Sequence, residues 1–205
     1  MTSERPRGDY LSDPDTQLMV RFAEGDERAF DRIVENFRNQ VFGIIHRYVG
    51  DWAAAEDCSQ EVFLRIYRLK SSYTPTARLS TLVYRITTNL CLNVVRDASK
   101  RQAVSLDAPH GPEGPPLGAT LEHASAEAPG DALEARERAE MVWKALSRIP
   151  DRQRIALILH RFEALSYAEI AQALETNVDA VKALLSRARQ SLADALRADL
   201  EAGNL

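Results

Sequence analysis

Apolar residues along most of this chain recur three or four positions apart, the period of an α-helix with one buried face. One such series lies between positions 26 and 50 and contains Phe30, Ile33, Val34, Phe37, Val41, Ile44 and Ile45. A second lies near the C-terminus and contains Val181, Leu185, Ala188 and Leu192. No segment alternates apolar and polar residues over a useful length, so strands are not expected. The pattern predicts an all-α protein.

Capping residues divide the N-terminal half into four predicted helices. The first three are expected at 13–25, 26–50 and 51–69, each opened by an aspartate, and the first two are closed by a glycine. After a loop that spans 70–78, Ser80 is the expected N-cap of a fourth helix, which runs from 81 to about 99.

Residues 102–131 have the composition of a flexible linker. The stretch 102–135 holds five of the nine prolines, four of the nine glycines, six acidic side chains and no Lys or Arg. The net charge of −4 therefore comes from the middle of the chain, and it does not exclude nucleic acid binding by the flanks. We expect two small helical domains, 10–101 and 132–202, joined by this linker.

Four helices are predicted after the linker, and the last two have helix-turn-helix spacing. The first two are expected at 133–149 and 151–162. Ser166 and Glu169 form a capping-box pattern that opens the third, and Asn177 can cap the fourth, which is expected to end near 200. The turn lacks the glycine often found there, and Asn tolerates the left-handed conformation.

The outer face of the fourth helix has the chemistry of a DNA-reading surface. It presents small and polar side chains that fit a major groove about 12 Å wide, where Lys and Arg reach guanine edges and phosphates. Its members are Asp179, Lys182, Ala183, Ser186 and Arg187, and Arg189 is assigned to the same DNA contacts. A two-helix hairpin in an ordinary helical bundle is the alternative.

This C-terminal segment resembles region 4 of extracytoplasmic-function (ECF) sigma factors. The resemblance rests on Ala145-Leu146 with Ile149-Pro150 and Arg154, on Ser166 with Glu169-Ile170-Ala171, and on Val181-Lys182 with Arg187-Ala188-Arg189. It implies that the domain docks on the flap of the RNA polymerase β subunit and reads the −35 promoter element. Leu184 stands where some relatives carry Arg.

The third helix resembles the most regular part of region 2 of the same family, on the motif "AEDCSQEVFLRIY" at 55–67. One helical face combines acids, an amide and an exposed leucine: Asp57, Gln60, Glu61 and Leu64. The resemblance implies that this face binds the β′ clamp of core polymerase. A solvated helix face is the alternative.

The fourth helix resembles family regions 2.3–2.4 at Tyr84, Arg85, Asn89, Asn93 and Arg96. The last four make a polar stripe in which Asn can pair with base edges and Arg can hold phosphate. With Arg78 or Tyr73 of the preceding loop stacked against a flipped base, this part is expected to bind and open the −10 element. Leu82 replaces the usual family tryptophan, which leaves the details of melting open.

The linker is long enough for one chain to contact both promoter elements. Extended, about 30 residues reach roughly 100 Å, whereas two turns of duplex span about 70 Å. The family resemblance implies that the acidic linker threads the RNA exit path. A solvated tether is the alternative.

Catalytic and membrane signals are not found in the sequence. No metal motif, phosphate loop or nucleophile elbow occurs, so neither enzyme activity, a metal, a cofactor nor a small-molecule substrate is expected. The polar N-terminus and the lack of a long apolar run favour a cytoplasmic protein. The resemblance adds an anti-sigma factor as an expected partner. A stand-alone helix-turn-helix regulator and a helical interaction protein that binds no DNA are the alternative functions.

Overall fold

The computed structural model describes residues 9–104 and 144–201, and its regular elements there are all helical. The bounds are α1 Pro14–Ala23, α2 Glu27–Val49, α3 Trp52–Arg68, α4 Leu79–Val104, α5 Asp151–Phe162, α6 Tyr167–Ala173 and α7 Val178–Glu201. Short 3-10 turns lie at Asp9–Leu11 and Lys70–Ser72, and residues 144–147 form a helical turn before α5. The all-α prediction is confirmed.

Two sequence predictions fall partly outside the described residues. The linker predicted at 102–131 begins with the last turn of α4, which continues to Val104, and the rest of it is not described. The helix predicted from 133 is described only from 144. Among the helices described, none combines the length and hydropathy that crossing a bilayer requires.

Local capping fixes the starts of α1 and α3, as the sequence predicts. The Asp13 carboxylate accepts a hydrogen bond from the Thr16 amide at 3.0 Å, and Asp51 accepts one from the Ala54 amide at 2.7 Å. Gly50 ends α2 in the left-handed conformation, with φ 82°, where a side chain would be strained.

The start of α4 differs from the prediction, because Ser80 is not its cap. The helix begins at Leu79, whose amide donates to the hydroxyl oxygen of Thr16 on α1, 3.0 Å away. That amide is buried, so it needs a partner, and a side chain distant in sequence supplies it. The tertiary cap therefore moves the start of α4 ahead of the local serine.

The helix-turn-helix begins with the predicted caps but turns at another residue. Ser166 and Glu169 form the complete capping box of α6, and the Asn177 side chain accepts from the Ala180 amide at 2.8 Å to open α7. The left-handed residue is Glu175, with φ 50°, whereas Asn177 was the expected candidate. A glutamate is thus held where glycine is favoured.

The helices on both sides of the linker share one buried core. α1 to α4 pack around Ile33, Ile44, Ile45, Val62 and Ile66, and α5 and α6 pack on α2 and α4. The same apolar cluster includes residues of α5 and α6, namely Ile155, Ile158, Leu159 and Ile170. The two predicted domains therefore lie against each other, which sequence spacing alone did not indicate.

Candidate functional site

The predicted polymerase-binding face of α3 lies at the surface. Asp57, Gln60 and Leu64 are exposed, and 50% of Leu64 is accessible although it is a large apolar residue. Glu61 is half-buried, and a hydrogen bond from Arg65 at 2.8 Å lowers the pKa of its carboxyl. Val62, on the other side of the helix, is fully buried. Burial of Val62 fixes the orientation of the helix. The exposed face offers an apolar contact at Leu64 that is surrounded by polar groups.

The polar stripe of α4 is only partly as predicted. Arg85 and Asn89 are exposed and Asn93 is half-buried, while Arg96 lies on the helix at a position whose side chain is not described. Tyr84 is buried, with 8% of its surface accessible. Burial raises the pKa of its hydroxyl to about 12, with Glu163 and Glu169 adding to the effect. Tyr84 therefore lies within electrostatic range of two acids from the part of the chain that follows the linker.

A cavity lies beside the stripe, between the loop that follows α3 and the first turns of α4. It has a volume of about 170 Å³ and is lined in part by Tyr73, Arg78, Thr81, Leu82 and Arg85. A cavity of about 150 Å³ holds a benzene molecule, so this one has room for a planar ring. Arg78 and Arg85 place positive charge on its wall.

The outer face of α7 is exposed where the sequence predicts DNA contacts. Lys182, Ser186, Arg187 and Arg189 are exposed, and Ala183 is half-buried. The buried stripe of the same helix consists of Val181, Leu185 and Ala188. Lys182 pairs with Asp179 of the first turn at 3.1 Å, an exposed contact that DNA can displace.

Comparison with known proteins identifies both halves of the chain. Residues 33–101 match the family model for sigma-70 region 2, and residues 139–192 match the model for sigma-70 region 4. The RNA polymerase sigma-H factor of Pseudomonas aeruginosa is 31% identical over 188 residues, which are 89% of this chain and 94% of that protein. The chain belongs to the ECF sigma factors of the sigma-70 family.

A second relative agrees with this family, and a solved structure shares the fold. The ECF sigma factor SigW of Bacillus subtilis is 31% identical over 175 residues, 85% of this sigma factor and 92% of that protein. CnrH, solved in complex with the cytosolic domain of CnrY, has the same fold, with a TM-score of 0.66. The alignment covers 90% of this sigma factor and 98% of that chain at 19% identity.

As an ECF sigma factor, the protein binds core RNA polymerase and directs initiation at specific promoters. The alternative of a stand-alone regulator is not favoured, because the relatives match both halves. Among the residues that the structure describes, no group of three or more His, Cys, Asp or Glu side chains could hold a metal.

Three contacts of this sigma factor join the start of α4 to α6 and the turn after it. The Thr88 hydroxyl donates to the carbonyl oxygen of Ala173 at 3.1 Å, in a buried position. Thr81 donates to the Gln172 side chain at 3.4 Å, and Arg85 lies 3.8 Å from the Glu175 carboxylate. Sequence reasoning missed this set because the partners lie on opposite sides of the linker.

A second set of contacts joins the end of α2 to α5. The Arg154 guanidinium lies 4.2 Å from the centroid of the Tyr48 ring, over the π face. The Tyr48 hydroxyl is buried and has no hydrogen-bond partner within the distance limits of such a bond. Arg47 lies 4.5 Å from the centre of the Phe162 ring and 3.8 Å from the Glu163 carboxylate. Burial raises the pKa of that carboxyl, and Arg47 opposes the shift.

Proposed function

We propose that this sigma factor uses three separate surfaces: α3 for the β′ clamp of core polymerase, α4 and its cavity for the −10 element, and α7 for the −35 element. The observation that carries the proposal is the cavity beside α4, bordered by Arg78 and Arg85 and continued by the exposed Asn89.

The −10 surface suits one unstacked base followed by single-stranded DNA. The cavity accepts a planar ring, and Tyr73 is placed on its wall to contact the base face. Arg78 and Arg85 hold the flanking phosphates, and Asn89 and Asn93 pair with base edges farther along the helix. These groups prefer a single strand to intact duplex, so binding stabilises the opened promoter. Tyr84 and Arg96 complete the predicted set.

The −35 surface is the outer face of α7. Its buried stripe anchors the helix to α5 and α6, so Lys182, Ser186 and Arg187 point into the groove together, with Ala183 leaving room for a close approach. Arg189 holds a phosphate. The C-terminal domain that contains α7 docks on the β flap, as the family resemblance implies.

The α3 surface combines Leu64 with the polar groups of Asp57, Gln60 and Glu61. An exposed leucine ringed by polar groups is the anatomy of a protein contact, with an apolar centre and a polar rim. We infer that the protein acts by binding, in the cytoplasm, and that RNA synthesis belongs to the polymerase. An anti-sigma factor that covers these surfaces is a further proposed partner, supported by the likeness of the fold to the sigma factor RpoE of Bartonella quintana, which was solved with the anti-sigma factor NepR.

The decisive test of the −10 assignment is the double change Asn89→Ala with Asn93→Ala. Association with core polymerase and binding to −35 duplex should be unchanged, while permanganate-reactive thymines near the −10 element should be strongly reduced. A pre-melted bubble should restore part of the activity, because the opening cost has then been met. Asn36→Ala with Asn39→Ala, two exposed asparagines on α2, is the matched control. Normal melting by the α4 variant would show that the stripe is only a solvated face.

A further inference from the structure

We propose that Asp179 is a specificity-determining residue of the −35 surface. Its carboxylate accepts a hydrogen bond from the N4 amino group of a cytosine, while Lys182 binds the guanine that is paired with that cytosine. This inference rests on the proposed function of α7. It assigns a base contact to an acidic side chain, which the phosphates of DNA repel.

Asp179 lies where a recognition helix meets base edges. It is the second residue of α7, and helix-turn-helix proteins contact bases with the N-terminal residues of their second helix. The Asp179 side chain is 90% accessible. Asn177 supplies the cap of the helix, because its side chain accepts from the Ala180 amide at 2.8 Å. The Asp179 carboxylate is therefore free of the capping role and open to a ligand in the groove.

An acid in this position opposes DNA binding unless it binds a base. From 178 to 189, α7 carries three cationic side chains and one acid, Asp179. A carboxylate only accepts hydrogen bonds, so it gains nothing from phosphate oxygens or from the acceptors of guanine. The major groove offers it two amino groups, adenine N6 and cytosine N4. A solvated acid that stabilises the N-terminus of the helix is the alternative.

The Asp179–Lys182 pair matches the major-groove edge of a G·C base pair. Nζ of Lys182 lies 3.1 Å from Oδ1 of Asp179, on the same face of the helix. In a G·C pair, the cytosine N4 donor and the guanine O6 acceptor lie at a hydrogen-bond distance of about 2.9 Å from each other. The carboxylate and the ammonium therefore present the reverse pattern at a similar spacing. Both groups keep hydrogen-bonding capacity after they pair, because each has more than one site.

The edge of an A·T pair suits the same two groups less well. Adenine N6 lies between two acceptors, its own N7 and O4 of thymine, which repel a carboxylate placed at N6. The thymine methyl group beside O4 would also desolvate a charged side chain. In a G·C pair, Lys182 meets O6 and N7 together, and Asp179 meets a donor with no acceptor on its far side. The pattern therefore selects cytosine.

The ion pair also limits binding to other DNA sequences. While Asp179 holds Lys182, their charges largely cancel, so the pair adds little to the phosphate attraction that drives non-specific binding. A Lys182 without this partner would bind any phosphate within reach. Asp179 thus raises specificity both by contacting a base and by restraining a cation.

Single-base-pair substitutions across the −35 element test the inference, with the holoenzyme formed from the full chain and core polymerase. The element is found by mapping transcript 5′ ends, and binding to each duplex is measured by competition. The parent should prefer C·G at one position by about 5- to 150-fold, the range of a good base contact. Asp179→Ala should abolish this preference, keep those at other positions and bind unrelated duplex more tightly. Lys182→Ala should lose the preference at the same position.

Two further variants sharpen the test. Asp179→Asn should change the preference at that position from cytosine to adenine, because an amide can bind adenine N6 and N7 together. Asp194→Asn is the matched control, since Asp194 is also an exposed acid of α7 and pairs with Arg197, three residues further on, at 3.4 Å. It should leave every preference unchanged.

A base analogue isolates the amino group itself. Replacing the cytosine by 2-pyrimidinone keeps the ring and removes only the exocyclic amino group. Both the parent and Asp179→Ala then face a duplex with one Watson–Crick hydrogen bond fewer, but only the parent loses a protein contact. The analogue should therefore weaken binding by the parent more than binding by the variant.

The possible results separate the inference from the proposed function. Unchanged preferences in Asp179→Ala would overturn the inference, as would equal weakening of all duplexes or a loss confined to an A·T pair. Losses at different positions for Asp179 and Lys182 would overturn their joint contact with one base pair, and equal sensitivity to the analogue would overturn the cytosine contact. A parent holoenzyme without any −35 preference would instead overturn the proposed function of α7.

Discussion

The hydroxyl of Thr88 on α4 donates a hydrogen bond to the carbonyl oxygen of Ala173 on α6, across 3.1 Å of buried interface. The same hydroxyl lies 3.1 Å from the Arg85 carbonyl of its own helix. Ala173 is near the C-terminal end of α6, where carbonyl oxygens lack partners within the helix. The Thr88 side chain therefore supplies a hydrogen-bond donor to a backbone carbonyl that lies on the other side of the linker.

Thr88→Val should loosen the packing of α6 against α4. Valine keeps the shape of threonine but leaves the Ala173 carbonyl buried without this donor, at a cost of about 1–3 kcal/mol. Opening returns that carbonyl to water, so the variant should show a larger radius of gyration by small-angle X-ray scattering.

Thr87→Val is the matched control for that change. Thr87 is equally buried, but its hydroxyl donates to the Val83 carbonyl of its own helix at 2.8 Å. It should lose a little helix stability and keep the parent radius of gyration. Equal expansion of both variants would show that the Thr88 bond does not hold the halves together.

Tyr48→Phe should be neutral or stabilising. The Tyr48 hydroxyl is buried without a partner, and burial raises its pKa, so its removal relieves a desolvation cost of about 1 kcal/mol. Phenylalanine keeps the ring under Arg154. The midpoint of thermal unfolding should stay constant or rise by about 2–4 °C. Tyr48→Leu, which removes the ring, should lower it. A lower midpoint for the phenylalanine variant would mean that the hydroxyl is hydrogen-bonded in solution.

The packing of the two halves of the chain against each other should depend on pH through Glu163. Burial raises the pKa of its carboxyl above the ordinary value, while Arg47 on α2 opposes the shift. The charge of Glu163 in turn contributes to the raised pKa of the Tyr84 hydroxyl on α4. The state in which the two halves are packed together therefore binds more protons than the state in which they separate. The packing should strengthen as pH falls through the raised pKa toward about 4.3, the value of an exposed glutamate. Scattering across this range measures it. Glu163→Gln should remove this part of the pH dependence, and an unchanged profile in that variant would assign it to another group.

Gln60→Ala with Leu64→Arg should abolish association with core polymerase while leaving helical content unchanged. Leu64 is exposed, so the fold does not need it, and an arginine there places a charge in an apolar contact. Leu11→Arg provides the control, since Leu11 is another exposed leucine, outside α3. Normal recovery of the double variant in a pull-down with core would remove this face from the mechanism.

Lys182→Ala and Arg187→Ala should each reduce transcription from the −35 element. A lost base contact costs about 1–3 kcal/mol. Arg197→Ala, an exposed arginine farther along α7, should leave transcription unchanged. Binding should be compared on the correct and mismatched −35 sequences, because a residue that weakens both equally holds phosphate and reads no base.

The sequence predicted those features whose cause is local. Asp13, Asp51, Ser166 and Asn177 cap helices within their own turn, so their signals are visible in the order of residues. The exposed faces of α3 and α7 follow from the spacing of their buried residues, as does the all-α fold.

The features that the sequence did not predict depend on partners far along the chain. The hydroxyl of Thr16 displaced Ser80 as the cap of α4. Tyr84 is buried although its motif places it beside exposed residues, and the charges of Glu163 and Glu169, from beyond the linker, contribute to its raised pKa. No local sequence pattern predicts the contact between Arg85 and Glu175, which lie on opposite sides of the linker.

Thr16 also bears on how promoter specificity can be engineered in such proteins. Its hydroxyl sets where α4 begins, and the first turns of α4 form one wall of the cavity. A graft of residues 70–93 from a relative would import a helix whose first amide needs a hydrogen-bond acceptor. That acceptor would be the side chain at position 16 of the recipient protein. With α4 as the proposed −10 surface, the transplantable unit for that specificity is therefore discontinuous, and it includes a residue on α1 that lies outside the proposed DNA-binding set.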